Sequence, residues 1–107
     1  MDNWIDVAAA ADFRPGSRRK LDAGGTSMVI FNIAGKYYAI EDRCSHDDEA
    51  LSNGRVKDCE ITCPRHQARF SLITGAALSP PAYEAIATFP VRIADGRVQV
   101  RDDRFDS

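Results

Sequence analysis

The sequence has little of several features that define common protein classes. Of 107 residues, only three are Cys and two are His, and 14 basic against 16 acidic side chains give a net charge of −2. Three cysteines are too few for a dense disulfide scaffold. The chain also lacks the basic excess of non-specific nucleic-acid binders. These shortages exclude a nucleic-acid partner and a disulfide-stapled secreted domain.

Long apolar stretches are missing as well. No stretch approaches the roughly 20 apolar residues that a membrane helix needs. The N-terminus has neither the basic nor the apolar segment of a secretory signal. The sequence therefore predicts a cytoplasmic protein with no membrane partner.

What remains is the composition of one small globular domain spanning 1–107. Hydrophobic residues make up 44% of the chain and charged residues 28%, which are ordinary values. Gly and Pro recur at short intervals, as in β proteins. Strands are predicted at 4–7, 18–23, 27–33, 36–41, 55–57, 60–63 and 69–73, and a helical turn at 8–11. Two alternating runs around Asp95-Gly96 predict a closing hairpin, so the fold class is all-antiparallel β.

The middle of the chain differs from both ends. Residues 42–82 contain all three cysteines, both histidines and three of the five prolines. Such a segment is typical of loops that a rigid sheet holds in place and that carry the functional site.

Two short motifs in this segment contain metal-ligand side chains. Cys44-Ser45-His46 and Cys63-Pro64-Arg65-His66 are separated by sixteen residues. Two thiolates and two imidazoles suit zinc or an iron–sulfur cluster, whereas calcium and magnesium prefer oxygen. The alternative is that these four are ordinary core or surface residues. Because both histidines of the chain lie within three positions of a cysteine, the ligand interpretation is favoured.

The arrangement also bears on which metal is bound. Zinc sites with two Cys and two His usually pair like with like, whereas each motif here mixes one Cys and one His. That mixture suits a two-iron cluster with one iron on the cysteines and one on the histidines. A zinc-stabilised structural domain stays open as an alternative.

The spacing Cys-x-His, sixteen residues, Cys-x2-His resembles the fingerprint of the Rieske [2Fe–2S] family. Segments around the motifs resemble the same family, and they are 51–54, 63–70, 74–75, 80–82 and 89–100. The resemblance implies that Cys44, His46, Cys63 and His66 bind one [2Fe–2S] cluster. It also implies a Rieske fold with an antiparallel β-sandwich base of six or seven strands, from 1–42 and 73–107. A smaller, loop-rich cluster-binding subdomain would span about 43–72.

In size and pattern the chain is similar to soluble Rieske-type ferredoxins of bacterial ring-hydroxylating dioxygenase systems, which serve aromatic hydrocarbon catabolism. The resemblance implies a one-electron carrier with no catalytic residues of its own. Its transient partners would be a flavin-dependent ferredoxin reductase and a terminal oxygenase. Respiratory Rieske subunits are less similar, because they carry two extra cysteines joined by a disulfide, and this chain has Glu49 and Arg65 at those positions. Oxygenase subunits hold a second iron with two His and one carboxylate, and this chain has no histidines beyond the two in its motifs. A nitrite reductase small subunit and an iron–sulfur-assembly ferredoxin are the alternatives within the family.

Several neighbours of the motifs carry expectations. Gln67 stands where the family usually has Gly, so either the loop bears a cost of about 1–2 kcal/mol for a left-handed backbone there or its path differs slightly. Cys59 is expected to be a structural thiol on a hairpin rather than a ligand. Family members of high potential have Ser and Tyr hydroxyl groups near the cluster, and no matching pair is evident around Phe70-Ser71. A potential in the low part of the family range is therefore predicted.

Charged residues near the motifs have two interpretations. Acidic residues follow His46 and basic residues flank His66, so the group forms either a solvated surface or a mixed-charge docking face. These residues are Asp47, Asp48, Glu49, Arg65 and Arg69. Farther away, 18–20 (Arg-Arg-Lys) is expected to be a solvated strand face.

Overall fold

The fold consists of ten short strands and one 3₁₀ turn, Ala10–Asp12, in the part of the chain that is described. The computed structural model describes residues 4–23, 25–44, 50–65 and 67–104. In chain order the strands are β1 (Ile5–Ala9), β2 (Arg18–Ala23), β3 (Thr26–Ile33), β4 (Lys36–Glu41), β5 (Arg55–Lys57), β6 (Glu60–Thr62), β7 (Arg69–Ser71), β8 (Thr88–Phe89), β9 (Val91–Ala94) and β10 (Arg97–Val100). None of the described residues forms a helix long and apolar enough to cross a bilayer.

The strands form three sheets, and every pairing is antiparallel. One sheet has the order β1-β10-β9, a second has the order β2-β3-β4-β8, and the third is β5-β6-β7. The first two combine strands from both ends of the chain, whereas the third lies wholly within 55–71. The all-β, antiparallel fold class predicted from the sequence is confirmed.

In two of the hairpins, a tight turn connects the two strands. Asp95 and Gly96 both have positive φ, 52° and 74°, between β9 and β10. Ala34 and Gly35 adopt the same pair of conformations between β3 and β4, with φ of 53° and 92°. Two successive positive-φ residues produce a turn whose twist matches that of the flanking strands. The Asp-Gly hairpin signal is therefore confirmed.

Strand β3 is buried on both faces and separates two apolar clusters. Because successive side chains of a strand point to opposite faces, Val29 and Phe31 enter one cluster, while Met28 and Ile30 enter the other. Burial on both sides explains the unbroken apolar run from 28 to 31. The first of these clusters also contains cysteines, so we call it the cysteine cluster.

Predicted and observed strand ends differ by a few residues. The first strand runs to Ala9 rather than Val7, and the expected helical turn follows it, shifted to Ala10–Asp12. Strand β7 ends at Ser71 rather than 73. There the Ser71 hydroxyl accepts hydrogen bonds from the backbone N–H groups of Ile73 and Thr74, 3.1 and 3.2 Å away. A side chain that binds its own backbone in this way competes with the sheet and starts a turn.

Two glycines provide a matched test of the packing. Gly75 and Gly96 both have positive φ, but only at Gly75 would an added Cβ collide with backbone, at the Ile86 carbonyl oxygen. We expect Gly96→Ala to lower the free energy of unfolding by about 1–2 kcal/mol, the cost of a left-handed L-residue. Gly75→Ala should lower it by more, as measured by urea denaturation followed by circular dichroism. Equal losses for the two variants would contradict the close packing at Gly75.

Candidate metal centre

The cysteine cluster contains the cysteine of each predicted motif. Cys44 and Cys63 are both fully buried in it, together with Leu51, Ile61 and Phe70. The fold therefore places two thiols that are 19 positions apart in one apolar core. His46 and His66 lie outside the described residues.

The second motif is closed by hydrogen bonds between its own backbone groups. The N–H of Cys63 donates to the Ala68 carbonyl at 2.7 Å, and the N–H of Gln67 donates to the Cys63 carbonyl at 3.0 Å. Gln67 has a φ of 64°. Of the two possibilities for this position, the left-handed conformation is thus present, and a glutamine adopts it at the cost of about 1–2 kcal/mol.

The first motif lies between two backbone attachments. Asp42 is buried just after β4, and its N–H donates to the Ser27 carbonyl at 2.9 Å. Its Oδ1 accepts a hydrogen bond from the N–H of Ser52 at 2.6 Å. This contact ties together the chain before and after the Cys44 segment. The contact could not be predicted from the sequence, because an Asp two residues before a proposed ligand motif carries no signal of its distant partner.

At Gly54, the backbone that follows the first motif packs closely against the strand that precedes the second motif. A Cβ at Gly54 would collide with the Thr62 carbonyl oxygen and lie 2.9 Å from the Ile61 side chain. Glycine is therefore required where the backbone after the first motif crosses strand β6. A cavity of about 390 Å³ opens beside this crossing, and its lining residues are Asn53, Arg55, Thr62, Cys63, Pro64 and Gln67.

The donor atoms fit an iron–sulfur group. The three cysteines of the chain form no disulfide, so both buried thiols keep their sulfur for a metal. An apolar core with two thiols suits a soft metal site from which water is excluded. Ser52 is also buried, and its hydroxyl has no hydrogen-bond partner within the described ranges. A buried hydroxyl without a protein partner commonly indicates a bound group or water beside it.

Of the other residues singled out in the sequence, Cys59 and Arg69 lie in or beside sheet β5-β6-β7, and Arg65 lies in the second motif. Cys59 is half-buried in the turn between β5 and β6, with a φ of 59°, and is not a member of the cysteine cluster. This is the hairpin position expected for it. Arg69 forms an ion pair with Glu60 at 2.8 Å across sheet β5-β6-β7, and Arg65 is exposed. The acidic residues 47–49 lie outside the described ranges.

The conformation of Gln67 leads to a stability prediction. Gln67→Gly relieves about 1–2 kcal/mol of backbone cost but adds about 0.4–1 kcal/mol of entropy to the unfolded chain, so a net gain of about 0.5–1 kcal/mol is expected. The measurement is the free energy of unfolding in urea. The matched control is Gln99→Gly in strand β10, where glycine should destabilise the strand by about 0.5–1 kcal/mol. A destabilised Gln67→Gly variant would contradict the left-handed backbone at this position.

Comparison with known proteins shows the family of the chain. The Rieske [2Fe-2S] domain profile matches residues 3–90. The ferredoxin component of the 2,4-dinitrotoluene dioxygenase system of Burkholderia sp. (strain RASC) is 36% identical over 102 residues, which cover 95% of this chain and 98% of that protein.

Solved structures show the same similarity. A chain in the complex of reduced oxygenase and oxidized ferredoxin in carbazole 1,9a-dioxygenase has a TM-score of 0.85 and 33% identity, covering 91% of each chain. The ferredoxin of carbazole 1,9a-dioxygenase from Nocardioides aromaticivorans IC177 has a TM-score of 0.86 and 27% identity, covering 92% of this chain and 97% of that one. With two buried thiols in one apolar cluster and a profile match over most of its length, the chain belongs to the Rieske [2Fe-2S] domain family.

Proposed function

We propose that this protein is the ferredoxin component of a ring-hydroxylating dioxygenase system, which carries one electron at a time and has no catalytic residues of its own. The observation that carries the proposal is the burial of Cys44 and Cys63 in one apolar cluster, in a chain of the Rieske family. A bound Rieske [2Fe–2S] cluster supplies one-electron chemistry, and the protein supplies its ligands and surroundings.

The proposed ligands are the four residues of the two motifs. Cys44 and Cys63 would hold one iron and His46 and His66 the other. Complete burial of the two cysteines supports this assignment, because it keeps water away from their sulfur atoms. Two neutral imidazoles in place of thiolates leave the site less negative, which makes reduction easier than at an all-cysteine site.

The sheet topology supports a proposed domain organisation. One domain, 1–107, would have a base from 1–42 and 73–107 and a cluster-binding subdomain of about 43–72. Sheet β5-β6-β7, confined to 55–71, supports the division. Because the subdomain contains both cysteines of the proposed site, the base would serve as the rigid support on which it is mounted.

The proposed partners are a flavin-dependent ferredoxin reductase and a terminal oxygenase, both bound transiently in the cytoplasm. The support comes from relatives, one a component of a dioxygenase system and one from an oxygenase–ferredoxin complex. Transient redox partners usually share small interfaces. Arg65, exposed next to His66 in the sequence, is a candidate contact.

Electron paramagnetic resonance of the purified protein, before and after reduction with dithionite, tests this function. A rhombic signal that appears only on reduction, with the low average g of a histidine-ligated two-iron cluster, is expected. A colourless protein that contains one zinc and no iron would overturn the proposal in favour of a structural zinc domain. A Rieske signal without electron transfer to any oxygenase would favour a nitrite reductase subunit or an assembly ferredoxin.

Cysteine substitutions test the ligand assignment. Cys44→Ser and Cys63→Ser should each abolish the visible absorbance and the iron content, because a serine oxygen is a poor substitute for a thiolate in this ligand set. Cys59→Ser should keep both at the wild-type level and serves as the control. Loss of iron in Cys59→Ser, or its retention in Cys63→Ser, would contradict the assignment.

A redox titration tests the surroundings of the cluster. Ala68 and Phe70, which are buried just after the second motif, have no hydroxyl to donate to sulfur, and the Ser71 oxygen lies in an exposed turn where it accepts hydrogen bonds from the Ile73 and Thr74 N–H groups. Since hydrogen bonds to the sulfur atoms raise the potential, we expect a midpoint in the lower half of the Rieske range of about −150 to +300 mV. A midpoint near the top of that range would show that other donors reach the sulfur atoms.

A further inference from the structure

Arg18 bonds to the backbone that follows the first motif. Its Nη1 donates to the carbonyl oxygen of Ser52 at 2.8 Å and to that of Gly54 at 2.7 Å, across 34 and 36 residues of sequence. The expectation that residues 18–20 form a solvated strand face is therefore wrong for Arg18, which is half-buried, although Arg19 and Lys20 are exposed. Arg18 is a base-sheet residue whose guanidinium reaches the proposed cluster-binding segment.

The guanidinium of Arg18 is itself held in place. Arg18 is paired with Phe31 across strands β2 and β3, and its Cζ lies 4.9 Å from the centre of the Phe31 ring. Phe31 belongs to the cysteine cluster. A planar guanidinium can stack on an aromatic face while its N–H groups remain available to acceptors. Arg18 thus presents a donor in a fixed direction from the wall of the cluster that contains both thiols.

The acceptors of Arg18 belong to a turn that is anchored at several points. In this turn, 51–54, the N–H of Gly54 donates to the Leu51 carbonyl at 2.8 Å, and Leu51 is buried in the cysteine cluster. The N–H of Ser52 donates to Asp42. A continuous series of hydrogen bonds therefore runs from Arg18 through Ser52 to the residue two positions before Cys44.

We propose that Arg18 is a positioning residue for the cluster site. By holding the 51–54 turn, and through Ser52 the Asp42 carboxyl group, it fixes the chain on both sides of Cys44. Its loss should let the Cys44 side of the site loosen while the sheets stay folded. This inference rests on the proposed function, since it concerns the group that Cys44 would help to bind.

Arg19 is the matched control, because it lies next to Arg18 on the same strand and makes contacts of the same kind with the other core. Its Nη2 donates to the Asp12 carbonyl at 3.1 Å, and its Cζ lies 5.8 Å from the centre of the Phe13 ring. Phe13 belongs to the cluster without cysteines. Removal of Arg19 therefore takes away a similar set of contacts without touching the 51–54 turn.

The experiment compares the iron-loaded wild type with Arg18→Gln, Arg18→Lys and Arg19→Gln. Three quantities are measured: the rate at which visible absorbance is lost below the unfolding transition, the linewidths of the reduced paramagnetic resonance signal, and the unfolding midpoint by circular dichroism. We expect Arg18→Gln to lose the cluster several-fold faster and to give broader lines, since the ligands become less ordered. Arg18→Lys should fall between Arg18→Gln and the wild type, because lysine keeps the charge and a donor but cannot stack as a planar group.

The controls separate positioning from general stability. Arg19→Gln should keep the wild-type cluster lifetime and linewidths, whatever happens to its unfolding midpoint. Equal lifetimes for Arg18→Gln and Arg19→Gln, or cluster loss in Arg18→Gln only when the sheets unfold, would overturn the role of Arg18. If Arg18→Gln fails to fold, Arg18→Lys is the test. A cluster lifetime and linewidths equal to those of the wild type in Arg18→Lys would then overturn the role of Arg18. A wild type that binds no iron would overturn the proposed function instead.

Discussion

Two thiol side chains, those of Cys44 and Cys63, are fully buried in an apolar cluster. To bury both thiols, the fold has to hold the two backbone segments that carry them against the same core. Strand β3 of sheet β2-β3-β4-β8 forms one side of this cluster. Its Phe31 faces the cluster, while the neighbouring Ile30 faces the other apolar cluster. The same strand thereby supports both cores, and the position of the cysteines depends on its register.

The segments that carry the thiols are held in different ways. The Cys63 loop is closed locally, by hydrogen bonds to Ala68 and Gln67, and it tolerates an unfavourable backbone at Gln67. The chain around the Cys44 segment is attached at a distance, from Asp42 to Ser52 and from Arg18 to the 51–54 turn. A local loop can be stabilised by its own sequence, whereas these distant contacts depend on how the sheets pack.

This division suits a protein whose role is to present a redox group to partners. An electron carrier has to keep its ligands in nearly the same positions in both oxidation states, so a stiff support lowers the rearrangement that accompanies each transfer. Strands β2, β3 and β4 bring that stiffness through their long antiparallel pairings. The short strands β5 to β7 pair with one another, and Ile61 and Phe70 on them complete the cysteine cluster.

Most of the architecture and the two proposed ligand motifs are evident from the residues in order. Alternation along β10, the Asp95-Gly96 turn and the Cys/His spacing are local patterns, and the chemistry of a few neighbouring side chains is enough to predict their outcome. The contacts of Arg18 and Asp42 are of another kind, because they join residues that are far apart in sequence. Alternation says that Arg18 and Arg19 point to opposite faces of β2, but which face meets the 51–54 turn depends on strand register and sheet packing, and these exist only in the folded chain.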